Sequence, residues 1–369
     1  MPLSSSSSCT YFDRAFIQFA GFTFGKTQSF FDFDTITPYS LQTNLLHAST
    51  GGSGTPVFAY TWQLGNGVTA SLSFEDNSEQ RLGPINVSAA TGLAAGNGGT
   101  TANIWNYNGA EAALPAGNHV PDIVGNLRVD QAWGSAQVSG ALHAVRASYY
   151  AGNNQSAHPD DEWGWAVSAG IMLKMPWSAK DTLALGTQYC EGAARYCSNP
   201  GGGVLGSGAI SGLRRADSGG IAVAWVTDGY FAAGTVGSQI DLSQMWNVTG
   251  AFEHYWTPTL RQSIHGQYAK YEANSTQLDA VCAANPAANG GNLGAGCADW
   301  SAWQVGSRIL WNPVSNLDIG LEVMYTKIET ALAGATYTAI TTAGLPTSLQ
   351  TKDEDVWSAV LRFQRNFWP

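Results

Sequence analysis

Apolar and polar residues alternate with a period of two along most of the chain, the pattern of strands with one apolar and one polar face. The alternating segments come in pairs. VFAYTWQL (Val57–Leu64) turns at Gly65-Asn66 into GVTASLSFE (Gly67–Glu75), and IVGNLRVDQ (Ile123–Gln131) turns near Trp133-Gly134 into SAQVSGALHAVRASYY (Ser135–Tyr150). EWGWAVSAGIMLKM (Glu162–Met175) leads through Pro176-Trp177 into DTLALGTQYC (Asp181–Cys190). WNVTGAFEHYW (Trp246–Trp256) pairs with TLRQSIHGQYAKYE (Thr259–Glu272), and DWSAWQVGSRILW (Asp299–Trp311) with LDIGLEVMYTKIE (Leu317–Glu329). VWSAVLRFQRNFW (Val356–Trp368) closes the series. GIAVAWVT (Gly220–Thr227) reads as a further strand and Tyr230–Ser238 as another, for a count of about fourteen or fifteen. A first hairpin lies in DRAFIQFAGFTFGKTQSFFDF (Asp13–Phe33); it doubles back at Ala20-Gly21 and loses its alternation at Thr27.

Tight turns join the members of each pair, and long Gly/Ala/Asn/Ser-rich loops join the pairs: Asn77–Pro121, Ala151–Asp161, Glu191–Ser218, Ala273–Ala298 and Thr330–Asp355. Short turns on one side and long loops on the other are the layout of an outer-membrane barrel. The faces are clean. Leu317, Ile319, Leu321, Val323 and Tyr325 oppose Asp318, Glu322 and Thr326, while Leu260, Ile264 and Tyr268 oppose Arg261, Ser263, His265 and Gln267. Pattern alone does not say which face is inside, so a soluble sandwich stays open at this point. Strand length decides against it: most segments run about nine to thirteen residues, against about five or six in globular sheets, and a tilted membrane-spanning strand needs roughly 9–11. Tryptophans also mark strand ends, as at Trp246 and Trp256, Trp300 and Trp311, and Trp357 and Trp368, where interfacial aromatic girdles belong. The expected fold is all-β, an antiparallel transmembrane β-barrel.

Composition agrees. Charged residues make up 12% of the 369 residues, about half the usual share, and aromatics 11%, with 43 glycines and 14 tryptophans. Mean hydropathy is −0.10, and no apolar run approaches the roughly 18 residues of a membrane helix. A net charge of −10 argues against nucleic acid as a partner. Cys190 and Cys197, and Cys282 and Cys297, form two local pairs in glycine-rich loops without zinc-ligand spacing, so two loop disulfides and an oxidising compartment are expected, and no metal site. Cys9 has no local mate. MPLSSSSSC offers neither a positive n-region nor an apolar h-region, so residues 1–10 read as an irregular Ser-rich segment rather than a signal peptide.

Candidate chemistry is sparse, and no catalytic residue or cofactor is expected. His143 and His265 fall on polar strand faces. Ser263 shares a face with His265 and would be the start of a lipase-like site, but no third partner or oxyanion hole accompanies them. Arg14, Arg128, Arg261, Arg308 and Arg362 all occupy polar phases, as does Glu322. Arginine facing lipid costs roughly 2–4 kcal/mol at the bilayer midplane, so these side chains face water, either as simple lumen lining or as a ladder of fixed charge across a pore. The connection 27–55 holds Phe30, Phe31 and Phe33 beside Asp32 and Asp34. Folded into the barrel, it would bury the rings and turn the carboxylates to the aperture; packed over the rim or into a subunit contact, it would do neither.

Four phrases resemble the porins of Rhizobiales and related alphaproteobacteria: DRAFIQFAGFTFGKTQSFFDF, FEHYWTPTLRQSIHGQY (Phe252–Tyr268), the two-cysteine loop Cys282–Cys297, and LRFQRNFWP at the close. The resemblance covers residues 11–369. It implies a sixteen-stranded barrel in the bacterial outer membrane, surrounded by lipid and lipopolysaccharide, homotrimeric, and passing small hydrophilic solutes and ions by passive diffusion. It also implies that the loop after Gly25-Lys26 is the constriction, with Lys26, Phe30, Phe31, Asp32 and Asp34 lining it. Relative to that family the chain reads as N-terminally truncated, lacking a signal peptide and about three strands. The alternative function is a non-transporting barrel acting as a surface adhesin or structural protein; a phospholipase-type barrel rests on Ser263 and His265 alone.

Overall fold

A computed structural model describes residues 14–42, 46, 54–76, 78, 82–87, 95–96, 116–117, 119–147, 158–198, 211–213, 219–231, 239–284, 294–338 and 349–367. Thirteen strands lie side by side in chain order in one antiparallel sheet. They are β1 (Ala15–Phe19), β2 (Phe22–Thr27), β3 (Thr55–Gly65), β4 (Val68–Glu75), β5 (Asp122–Gln131), β6 (Gly134–Val145), β7 (Glu162–Met175), β8 (Ser178–Glu191), β9 (Gln244–Thr257), β10 (Leu260–Glu272), β11 (Trp300–Val314), β12 (Leu317–Glu329) and β13 (Glu354–Arg365). β1 and β13 are the edges of this sheet.

The sheet is inverted relative to a soluble protein. Ile264, Val305, Ile309 and Leu361 are 45–61% exposed, whereas Ser263, His265, Gln304 and Glu322, one residue out of phase, are at 0–2%. A sandwich would cover its apolar face; here the polar face is covered and the apolar face is open, as lipid requires. Near the long-loop ends, Tyr189, Trp246, Tyr268, Trp303, Tyr325 and Trp357 occupy β8 to β13, one per strand. Ring centroids of Trp246–Tyr268, Trp303–Tyr325 and Tyr325–Trp357 are 4.9–5.2 Å apart. Trp177 and Trp256 are exposed at the opposite, short-turn end. Trp300 corrects the girdle assignment: it points inward and is buried. Trp368 lies outside the described residues.

Of the two further expected wall strands, Gly220–Thr227 is not in the wall, and of Tyr230–Ser238 only Tyr230 and Phe231 are described. Gly220–Ala224 pairs instead with Ser211–Leu213 and Leu349–Thr351, and Gly229–Phe231 with Asp241–Leu242 and Ile85–Asn86. The run AVAWV is apolar on both faces because it is buried on both, and periodicity cannot separate that from a wall strand. Residues 232–238, Cys9 and the segment 1–10 lie outside the described residues. Among the described residues the wall has thirteen strands, against the fourteen or fifteen expected from the pattern.

The described parts of the long connections pack at one end of the sheet, where Leu82, Tyr196, Trp225 and Leu278 join Tyr271 and Trp300 of the wall in an apolar cluster. Disulfides Cys190–Cys197 and Cys282–Cys297 close two of them, with Cα–Cα distances of 6.1 and 6.0 Å. The second begins in a short helix, Thr276–Ala284.

Candidate pore constriction

After Thr27 the backbone leaves the sheet and residues 28–42 run along its covered polar face from β5 to β13. Irregular backbone at membrane depth needs partners, and the inward polar side chains supply them strand by strand. Asn126 of β5 donates to the Phe30 carbonyl at 2.6 Å, and Ser139 of β6 to that of Phe31 at 2.9 Å. Thr35 and Thr249 of β9 share a hydroxyl hydrogen bond of 2.8 Å. Ser263 of β10 donates to the Tyr39 carbonyl at 2.7 Å, and Arg308 of β11 to that of Pro38 at 2.8 Å. Glu322 of β12 accepts from the Leu41 N–H and, at 2.7 Å, from the Ser40 hydroxyl. Ser358 of β13 donates to the Gln42 amide oxygen at 2.9 Å, and the Leu46 N–H returns to Gln267 of β10 at 3.0 Å.

Apolar side chains of this segment sit where the wall has no side chain. Phe33 lies against Gly170 of β7. Leu41 lies over Gly320 of β12, where a Cβ would meet its Cδ1 at 2.7 Å. Phe31 is fully buried and meets the Tyr196 ring at 4.8 Å. Fully exposed phenylalanines would be an association hazard; inside the wall they are anchors.

The expected site residues separate into groups. Asp34 accepts from the N–H groups of Ile36 and Thr37 at 3.2 and 3.0 Å, starting the 3-10 turn Thr37–Tyr39. Asp32 lines a polar recess of about 290 Å³ together with Gln18, Phe30, Asn126 and Arg128, on the β1–β6 side of the segment. Arg128 is paired bidentately with Asp130 at 2.8 and 2.9 Å and lies 5.3 Å from the Phe33 ring centroid. Arg261 and Arg308 share Glu253, Arg261 at 3.6 Å. Glu322 faces inward but is buried beneath Leu41, with His265 at 3.2 Å. Arg362 is exposed and two residues from Val360 on the inward phase of β13; Arg14 directly precedes β1 in the phase of Gln18. Lys26 departs from the group. It has the phase of exposed Phe22 and Phe24 and pairs with exposed Pro56, so it points away from the recess.

Sequence reading missed Glu253, which holds both arginines, and Glu75, which accepts the Phe30 N–H at 2.9 Å from the end of β4. Neither belongs to a recognisable motif, and only the register of the sheet brings each to its partners. Ser263 and His265 do share the inward face, yet each is committed to the segment or its anchor.

The model of the porin subfamily matches residues 3–360. The chain belongs to the porin subfamily. This porin is therefore a non-enzymatic, passive diffusion pore of the bacterial outer membrane. Among solved structures, the outer membrane channel DcaP of Acinetobacter baumannii is similar in fold, with a TM-score of 0.55 at 14% identity over 95% of this chain and 74% of that one. The outer-membrane expressed OmpT of Vibrio cholerae (TM-score 0.41, 8% identity, 96% and 81% covered) and the anion-selective porin from Comamonas acidovorans (0.39, 10%, 84% and 59%) are more distant. No curated protein sequence matches.

Proposed function

We propose that residues 28–42, within the connection 27–55, form the constriction of this porin and that small hydrophilic solutes and ions pass beside them, through the recess that Asp32 and Arg128 line. One observation carries the reading: a single connection uses inward side chains of nine wall strands as hydrogen-bond partners, β4 to β6 and β8 to β13, and borders a polar recess lined from β1 to β6. Fixed charge at the narrowest point biases ion passage. Asp32 lines the recess, so it is the carboxylate proposed to act on the permeating ion, while Asp34 accepts the N–H groups of Ile36 and Thr37.

Single-channel recording in a planar bilayer tests this. Large ohmic steps are expected from the native porin, and Asp32→Asn should move the reversal potential in a salt gradient toward anions. A correctly inserted but silent barrel would favour the adhesin reading. The alphaproteobacterial affiliation, the sixteen-stranded wall, the homotrimer and the surrounding lipopolysaccharide rest on the phrases quoted above. Cross-linking in detergent, with a trimer band expected, addresses the oligomer.

A further inference from the structure

A second stretch of chain lies inside the sheet, at the long-loop end. From Ala222 to Phe231 every residue is buried. The stretch reaches inward-facing residues on wall strands four and five apart. On one side the Asp228 carboxylate lies 3.5 Å from His143 Nε2 of β6. On the other, Trp300 of β11 donates to the Trp225 carbonyl at 2.7 Å, and the Tyr230 hydroxyl is 2.9 Å from that of Tyr271 of β10.

Its seat is built rather than incidental. Asp228 also accepts the Leu82 and Ala194 N–H groups at 2.6 and 2.9 Å. Burial raises its pKa, against the lowering effect of His143 and these donors. The Trp225 indole donates to Tyr230 at 3.0 Å, and the Val223 N–H to the Thr330 hydroxyl at 2.8 Å. Such a buried polar network, with its partners in place, holds one conformation.

We propose that Gly220–Phe231 is a second constriction, set across the outer mouth, and that it rather than the inward segment fixes the size limit for solutes. The proposal rests on the pore reading above and adds a division of labour. The outer segment, itself buried, takes up cross-section at the mouth and so limits width; Asp32, deeper in, selects by charge. Asp228 is the positioning residue of the outer segment.

Three measurements on the full chain in liposomes and planar bilayers test it: swelling rates with neutral sugars of increasing size, single-channel conductance, and reversal potential. The variants are replacement of Ala222–Phe231 by a Gly-Ser linker and, with less disturbance, Asp228→Ala and Trp225→Ala. The expected result is a higher sugar size limit and a conductance gain of roughly twofold, the reversal potential staying put. If the linker variant does not insert, the two single substitutions decide. Unchanged size limit and conductance in an inserted variant overturn the second constriction while leaving the pore intact. Absence of conductance in the native chain would instead remove the pore reading itself.

Discussion

At the scale of single residues, neighbouring carboxylates that look alike in sequence do different work. Asp32 borders the recess, whereas Asp34 accepts two backbone N–H groups of its own segment. Asp34→Ala should therefore cost about 0.5–2 kcal/mol, as the loss of a capping acceptor does, and increase open-channel noise with little change in ion preference. Asp34→Asn keeps an acceptor oxygen and should leave both unchanged. Glu322 makes a sharper case. Its removal strands the Leu41 N–H under the segment, and a buried unsatisfied donor costs about 1–3 kcal/mol. Glu322→Ala should therefore make residues 40–42 accessible to protease in folded porin, where the native segment is protected. Little of this was legible in the sequence. Phase places Glu322, Arg308 and Ser263 on one face, but which backbone group each one meets depends on register across strands far apart in the chain. Lys26 shows the converse: the family resemblance implied the aperture, and its phase with Phe22 and Phe24 puts it on the outer face.

At the scale of elements, the long alternating strands were readable because burial on one face only leaves a period-two trace. Val57–Leu64 and Leu317–Glu329 fall within wall strands, as does Thr259–Glu272 but for its first residue. Gly220–Thr227 was misread because an apolar run buried on every side carries no such trace. The loops were legible in composition, and contacts within them only through their cysteines. Closing loops of this size restricts the unfolded chain by about 2–3 kcal/mol per disulfide in the chain-entropy model. Reduction should lower the thermal midpoint of the loop region, followed by near-UV circular dichroism, while the wall strands, followed in the far-UV, persist. The Cys190–Cys197 bond holds the turn that donates from Ala194 to Asp228, so its loss should also weaken the seat of the outer segment.

At the scale of the whole molecule, the wall is turned inside out, and each face has its own tolerance. Ile264, near the middle of β10, is open to lipid. Ile264→Arg should destabilise the folded state by about 2–4 kcal/mol in bilayer unfolding experiments, as arginine at midplane depth does. Val360→Arg, on the inward phase of exposed Arg362, should cost far less. The same wall has a consequence in time. The segment that narrows the lumen is held by residues 282 and 316 positions further on, at Glu322 and Ser358. Contacts of such long sequence separation close late, because chain entropy must be overcome before they contribute. An assembling chain thus keeps a wide interior until its final hairpin is in place, and the narrow passage is the last thing it acquires.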